Sequence, residues 1–121
     1  VIILEGDGNL LMNLGSLPMA GSLQPGNLLH IVLDNEVYAS TGNQPTISNA
    51  IELEKIAKSA RYAYVKKVTT NEDLKREVVY TLENDSLSFL LVKIADQEEE
   101  REIGRVTHNP EEIKERFMSA M

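Results

Sequence analysis

Hydrophobic positions fall along this chain in two alternating patterns. Near-continuous apolar runs occur at Val1 to Leu4 (VIIL), Leu28 to Leu33 (LLHIVL) and Leu87 to Ile94 (LSFLLVKI), with a further strand candidate from Tyr62 to Val68. Runs of that length read as strands buried on both faces. Between them lie segments with helical spacing. Asn9 to Leu17 predicts a short helix, weakened towards its end by Gly15 and Pro18. Asn49 to Ala60 predicts a second, capped by Ser48, with Leu53, Ile56, Ala57 and Ala60 as its apolar stripe. Thr69 and Thr70 followed by Glu72 and Asp73 resemble a capping box, and the helix after them is expected to bury Leu74, Val78 and Leu82. Asn109-Pro110-Glu111-Glu112 is a strong helix start, and Ile113, Phe117 and Met118 are expected on that helix's inner face.

Strands alternating with amphipathic helices predict an α/β fold in three layers, a mostly parallel sheet with helices on both faces. Gln24 to Asn27 reads as a turn, Asn35 to Ser48 as a polar loop, and Gln97 to Arg101 as a charged loop. The 121 residues suit a single domain, residues 1–121. The sequence starts inside its first strand, and parallel sheets need their edges covered. From this we expect further strands and helices upstream, as in the C-terminal part of a larger domain.

Charge narrows the function. The net charge is −7, and no Lys or Arg occurs before Lys55. The first half cannot grip polyphosphate with side-chain cations, and nucleic-acid binding is not expected. An anion bound there must be met by a metal ion, by backbone N–H groups or by another chain. No apolar run approaches membrane-spanning length. With no cysteine, disulfides, thiolate metal sites and cysteine catalysis are excluded, and a reducing cytoplasm is the expected location.

In open α/β sheets ligands bind at the carboxyl ends of strands. Two such ends carry polar signals. Gly6-Asp7-Gly8 follows the first strand and opens a helix, whose free N–H groups and dipole suit a phosphate. Asp34-Asn35-Glu36-Val37 follows the second strand. A carboxylate and a carboxamide on neighbouring loops can share a hard cation such as Mg²⁺, which takes oxygen ligands and often draws several from phosphates. A lone GDG is most often a simple turn, so the strand–turn–helix context and the later Asn35 carry the weight.

The segments GDGNLLMNLGSL and LLHIVLDNEVYASTGNQPT resemble the diphosphate-binding domain of thiamine diphosphate-dependent 2-oxoacid decarboxylases. Their signature is GDG followed, after an intervening stretch, by Asn-Asn; here the second element is Asp34-Asn35. The branch most resembled decarboxylates sulfopyruvate and phosphonopyruvate, and Asn43 in STGNQ leans towards sulfopyruvate. The final PEEIKERFMSAM, from Pro110, resembles the C-terminal helix of this branch. The resemblance implies thiamine diphosphate and Mg²⁺ as cofactors. Asp7, the Asn35 side-chain oxygen and the Val37 carbonyl would hold the metal. Gly6 and the backbone N–H groups of Gly8, Asn9 and Leu10 would hold the diphosphate. Thr41, Gly42 and Gln44 would face cofactor or substrate. It implies a small anionic 2-oxoacid substrate, sulfopyruvate giving sulfoacetaldehyde on the route to coenzyme M. It also implies a homo- or hetero-oligomer in which a pyrimidine-binding subunit or domain supplies the activating glutamate. Glu5 and Glu36 are poor candidates for that glutamate.

Other residues read blandly. His30 is expected as a satisfied core histidine. His108 receives no role, and Tyr38 packs beside the cofactor or its own loop. Lys66-Lys67 and Lys75-Arg76 are expected on solvated faces. Arg101 and Arg105 could meet an anionic substrate, but a surface placement is preferred, and Glu98 to Glu100 read as solvated. Two rivals remain: a carboligase of the acetolactate synthase kind, and a non-catalytic α/β assembly module. Intact Asp7 and Asn35 argue against the latter.

Overall fold

A computed structural model describes residues 1–95 and 106–121. Four strands, β1 (Ile2–Gly6), β2 (Leu29–Asp34), β5 (Tyr64–Val68) and β6 (Ser88–Lys93), form one parallel sheet in the order β1-β2-β6-β5. A small antiparallel hairpin, β3 (Val37–Tyr38) and β4 (Gln44–Pro45), lies within the segment expected to be a polar loop.

Helices cover both faces, as the apolar runs required. Alternate residues of β6 point to opposite sides. Phe89 and Leu91 join Leu10 of α1 (Asp7–Met12), Leu17 of α2 (Ser16–Leu23), and Leu53 and Ala57 of α3 (Leu53–Ser59) in one core. Leu90 and Val92 join Leu29 and Val68 in the other, with Leu74 and Val78 of α4 (Asn71–Glu83) packed against them. Handedness explains the division. The crossovers from β1 to β2 and from β2 to β5 step one way along the sheet, whereas that from β5 to β6 steps back. Right-handed connections therefore place α4 opposite α1, α2 and α3.

Several boundaries differ from expectation. The first helix is two helices. Pro18 cannot donate to a carbonyl four residues back, so α1 stops at Met12 and α2 restarts with Pro18 in its first turn, where that N–H has no partner anyway. α3 begins at Leu53 after Glu52, five residues beyond Ser48, so Ser48 is not its cap; the Ser48 hydroxyl instead donates to the buried Asp34. Among the described residues β1 pairs with β2 alone, and Ile2 and Leu4, expected in a buried strand, are more than half exposed. In α4 the buried stripe runs through Leu74, Glu77, Val78 and Thr81, so Leu82 falls beyond its edge and is exposed. α5 (Pro110–Ser119) has the expected capping box between Asn109 and Glu112, yet Ile113, Phe117 and Met118 are exposed and no residue of it is buried. The charged loop containing Glu98 to Glu100, Arg101 and Arg105 lies outside the described residues.

Thr70 caps α4 by accepting the Asp73 N–H. On the sheet side of that helix, Tyr64 donates its hydroxyl to the Glu77 carboxylate. This hydrogen bond outweighs desolvation and, with Arg76, holds Glu77 below the usual carboxylate range, while burial first, and then Glu77, push Tyr64 up to about 12. A lowered folded-state value gives stability that is present above the ordinary glutamate range near pH 4.5 and lost as the pH falls through the lowered value. Tyr64→Phe is therefore expected to destabilise the fold in denaturant titrations at pH 7, with the gap from the parent closing as the pH falls below about 4. A gap independent of pH would show that Glu77 gains nothing from the tyrosine.

Candidate functional site at the strand ends

Parallel strands in register bring sequence-distant residues together at their carboxyl ends. Gly6 of β1 lies opposite Leu33 of β2, and Asp34 lies opposite Lys93 of β6. Asp7, Asp34 and Lys93 therefore close three neighbouring strands. Both carboxylates are almost wholly buried, each 1% exposed. Burying charge is tolerable only when it is paired or hydrogen-bonded, and each of these is. Asp7 Oδ2 accepts the Thr46 hydroxyl at 2.6 Å. Asp34 Oδ1 accepts the Ser48 hydroxyl at 2.8 Å and the Glu36 N–H at 3.1 Å, and Asp34 Oδ2 accepts Lys93 Nζ at 2.8 Å. Lys93 also donates to Glu36. Burial opposes the Lys93 charge, but Asp34 and Glu36 overcome it and raise its pKa above the ordinary lysine value.

Asp34, where the resembled signature has Asn, is thus accounted for locally. It is turned into the protein as the counter-ion of Lys93. Asn35 projects the other way. Its Oδ1 accepts the Val37 N–H at 3.2 Å and keeps a second lone pair. Val37 faces Pro45 in a non-hydrogen-bonded pair, flanked by the bond from the Thr46 N–H to the Glu36 carbonyl, so the Val37 carbonyl points out of the ladder.

A cavity of about 380 Å³ is lined by Gly6, Asp7, Gly8, Asn9, Asn35 and Val37, with Tyr38 at its wall. Tyr38 packs on the backbone of Gly8: a Cβ there would lie 2.6 Å from two ring carbons, so any side chain at position 8 must displace the tyrosine. The oxygens available at this cavity are a carboxylate, a carboxamide and a backbone carbonyl, a hard set suited to Mg²⁺ or Ca²⁺. Among the described residues no three His, Cys, Asp or Glu side chains converge on a metal position, so a cation here would have to draw on amide and main-chain oxygens.

The remaining expected residues lie elsewhere. Leu10 points its side chain into the core, only 1% exposed. Thr41, Gly42 and Gln44 are exposed on the β3–β4 hairpin, where Thr41 Oγ1 donates to Gln44 Oε1 at 3.0 Å, and they are not among the residues lining the cavity. Glu5 is occupied by His30 and Asn9. His30 is a satisfied core histidine, as expected, with its Nδ1 3.1 Å from the Tyr62 hydroxyl. His108, just before α5, is exposed and contacts Arg116 in the last turn of that helix. Sequence reasoning missed Thr46, Ser48 and Lys93. A signal was present in the lysine that ends β6, a cation at the same strand-end level as Asp34.

Residues 1–92 match the family model of the thiamine pyrophosphate enzyme C-terminal TPP binding domain, and the chain belongs to that family. It is 38% identical over 97% of its length to a phosphonopyruvate decarboxylase of Streptomyces viridochromogenes, of which it spans 29%. It is 34% identical to sulfopyruvate decarboxylase subunit beta of Methanothermobacter thermautotrophicus and to that of Methanococcus maripaludis. These alignments take in 98% and 100% of this chain and 60% and 64% of the two relatives.

The Lys93–Asp34 pair gives a direct test. Lys93→Met leaves a carboxylate buried without its cation and is expected to cost about 3 kcal/mol in denaturant unfolding, whereas Lys93→Met with Asp34→Asn should return to within about 1 kcal/mol of the parent. Additive losses would show that the two side chains act independently.

Proposed function

We propose that this chain forms the diphosphate-binding side of a thiamine diphosphate- and Mg²⁺-dependent decarboxylase whose substrate is 3-sulfopyruvate. A pyrimidine-binding subunit or domain completes its active site. The convergence of Asp7, Asn35 and Val37 on one cavity beside the Gly8 backbone carries the reading. In it, the Asp7 carboxylate, the Asn35 Oδ1 and the Val37 carbonyl hold Mg²⁺. The backbone N–H groups of Gly8, Asn9 and Leu10 meet the diphosphate. Together with the metal they supply the positive charge that the first half of the chain lacks in its side chains. Thr41, Gly42 and Gln44 present the hairpin to substrate or partner.

When bound, the cofactor supplies an electron sink for the pair released as the bond between C1 and C2 of the 2-oxoacid breaks. Carbon dioxide leaves, a proton takes its place on C2, and the product is an aldehyde. The work of this chain is binding and orientation. Relatives named as the beta subunit of a sulfopyruvate decarboxylase support both the substrate and the divided active site. The 38% identity to a phosphonopyruvate decarboxylase supports the second reading, phosphonopyruvate as substrate. Both substrates are 2-oxoacids with a further strong acid group on C3.

Calorimetric titration with thiamine diphosphate is expected to give binding that requires Mg²⁺, and Asp7→Ala should abolish that binding while leaving the melting temperature within a few degrees of the parent. Unchanged binding by Asp7→Ala would remove Asp7 from the metal site. Carbon dioxide release, measured on the full-length protein with its partner, should be faster from sulfopyruvate than from phosphonopyruvate. The reverse order selects the second reading.

A further inference from the structure

The proposed metal carboxylate is the end of a buried run of close polar contacts. Asp7 Oδ2 is 2.6 Å from Thr46 Oγ1, which is 2.9 Å from Ser48 Oγ. Ser48 Oγ is 2.8 Å from Asp34 Oδ1, and Asp34 Oδ2 is 2.8 Å from Lys93 Nζ. Asp7, Thr46, Ser48 and Asp34 are each no more than 5% exposed.

The hydrogens can be placed by counting. Ionised carboxylates only accept, and each hydroxyl has one hydrogen to give. The Thr46 hydrogen goes to Asp7 and the Ser48 hydrogen to Asp34, since the shorter contacts run to the charged acceptors. The Thr46 oxygen is then free to accept the Ser48 backbone N–H, 3.3 Å away. One oxygen of Asp7 is thereby tied back into the protein. The other takes no hydrogen bond from any described residue, although the side chain borders the cavity. The far end of the chain is fixed by the Lys93–Asp34 ion pair and by the backbone bond from Thr46 N to the Glu36 carbonyl, 2.8 Å.

We propose that Thr46 is a positioning residue for the metal: its hydroxyl fixes the Asp7 carboxylate so that one oxygen faces the cation, and the Ser48 backbone N–H on its oxygen together with its own N–H bond to the Glu36 carbonyl holds Thr46 in place. The inference rests on the proposed metal site. Groups that orient a ligand from behind typically change metal affinity by roughly 10- to 100-fold when removed.

The test uses the full-length protein with saturating thiamine diphosphate and Mn²⁺ as the probe, followed by loss of the free-ion electron paramagnetic resonance signal. Thr46→Val keeps the volume and removes the hydroxyl; it is expected to raise the Mn²⁺ dissociation constant by about tenfold or more, and Thr46→Ser to restore it to within about twofold. Rescue by serine separates positioning from packing, because serine lacks the methyl group that valine retains. If Asp7→Ala loses Mn²⁺ while Thr46→Val binds like the parent, the metal site stands and the positioning role falls. If Asp7→Ala and Thr46→Val both bind like the parent, the metal-site reading falls and takes the positioning role with it. Should Thr46→Val fail to fold, Thr46→Ala set against Thr46→Ser decides: Mn²⁺ binding about tenfold weaker for alanine than for serine supports the positioning role, and equal binding overturns it.

Discussion

Two carboxylates are buried side by side at the ends of β1 and β2, in a stretch of sequence that has no cation of its own. Everything near the cavity follows from how that charge is held. Asp34 must be matched by a positive group reached through the sheet, and the parallel register delivers Lys93 from β6 to its side. The Thr46 and Ser48 hydroxyls must leave the roles that local sequence would give them and turn inward. Once Asp34 is neutralised, Asp7 is left as the carboxylate bordering the cavity, with a hydroxyl behind it. A charge arranged in this way can accept a cation with little reorganisation, because its desolvation has already been met by folding.

Much of this was legible in the sequence where the controlling physics is local. The apolar runs at Leu28 to Leu33 and Leu87 to Ile94 became β2 and β6, the strands buried on both faces, because a residue flanked by strands and covered by helices has no polar alternative. Thr70 and Asn109 cap the helices that they were expected to cap. The Gly6-Asp7-Gly8 and Asn35 signals ended on one cavity because adjacent parallel strands share a carboxyl end.

What failed depended on partners distant in sequence. Ser48 resembles a helix cap to its neighbours, but the helix starts later and its hydroxyl is turned inward to donate to a carboxylate fourteen residues earlier. Lys93 looks like an ordinary strand end until Asp34 is placed beside it. The hairpin at Val37–Tyr38 and Gln44–Pro45 is too short for a period to register, and its shape depends on left-handed backbone at Glu36 and Asn43.

The adjacency of β2 and β6 has a consequence for how the cavity comes into being. Asp34 and Lys93 are 59 residues apart, so closing that contact means ordering a long loop before any reward is collected. No turn can nucleate the pair, and topologies dominated by such non-local contacts fold slowly. The cavity wall contributed by β2 acquires its counter-ion only when β6, next to last in the element order, has docked. During synthesis from the N-terminus, the nascent chain therefore carries the acidic end of β2 without its counter-ion until the end of β6 has emerged.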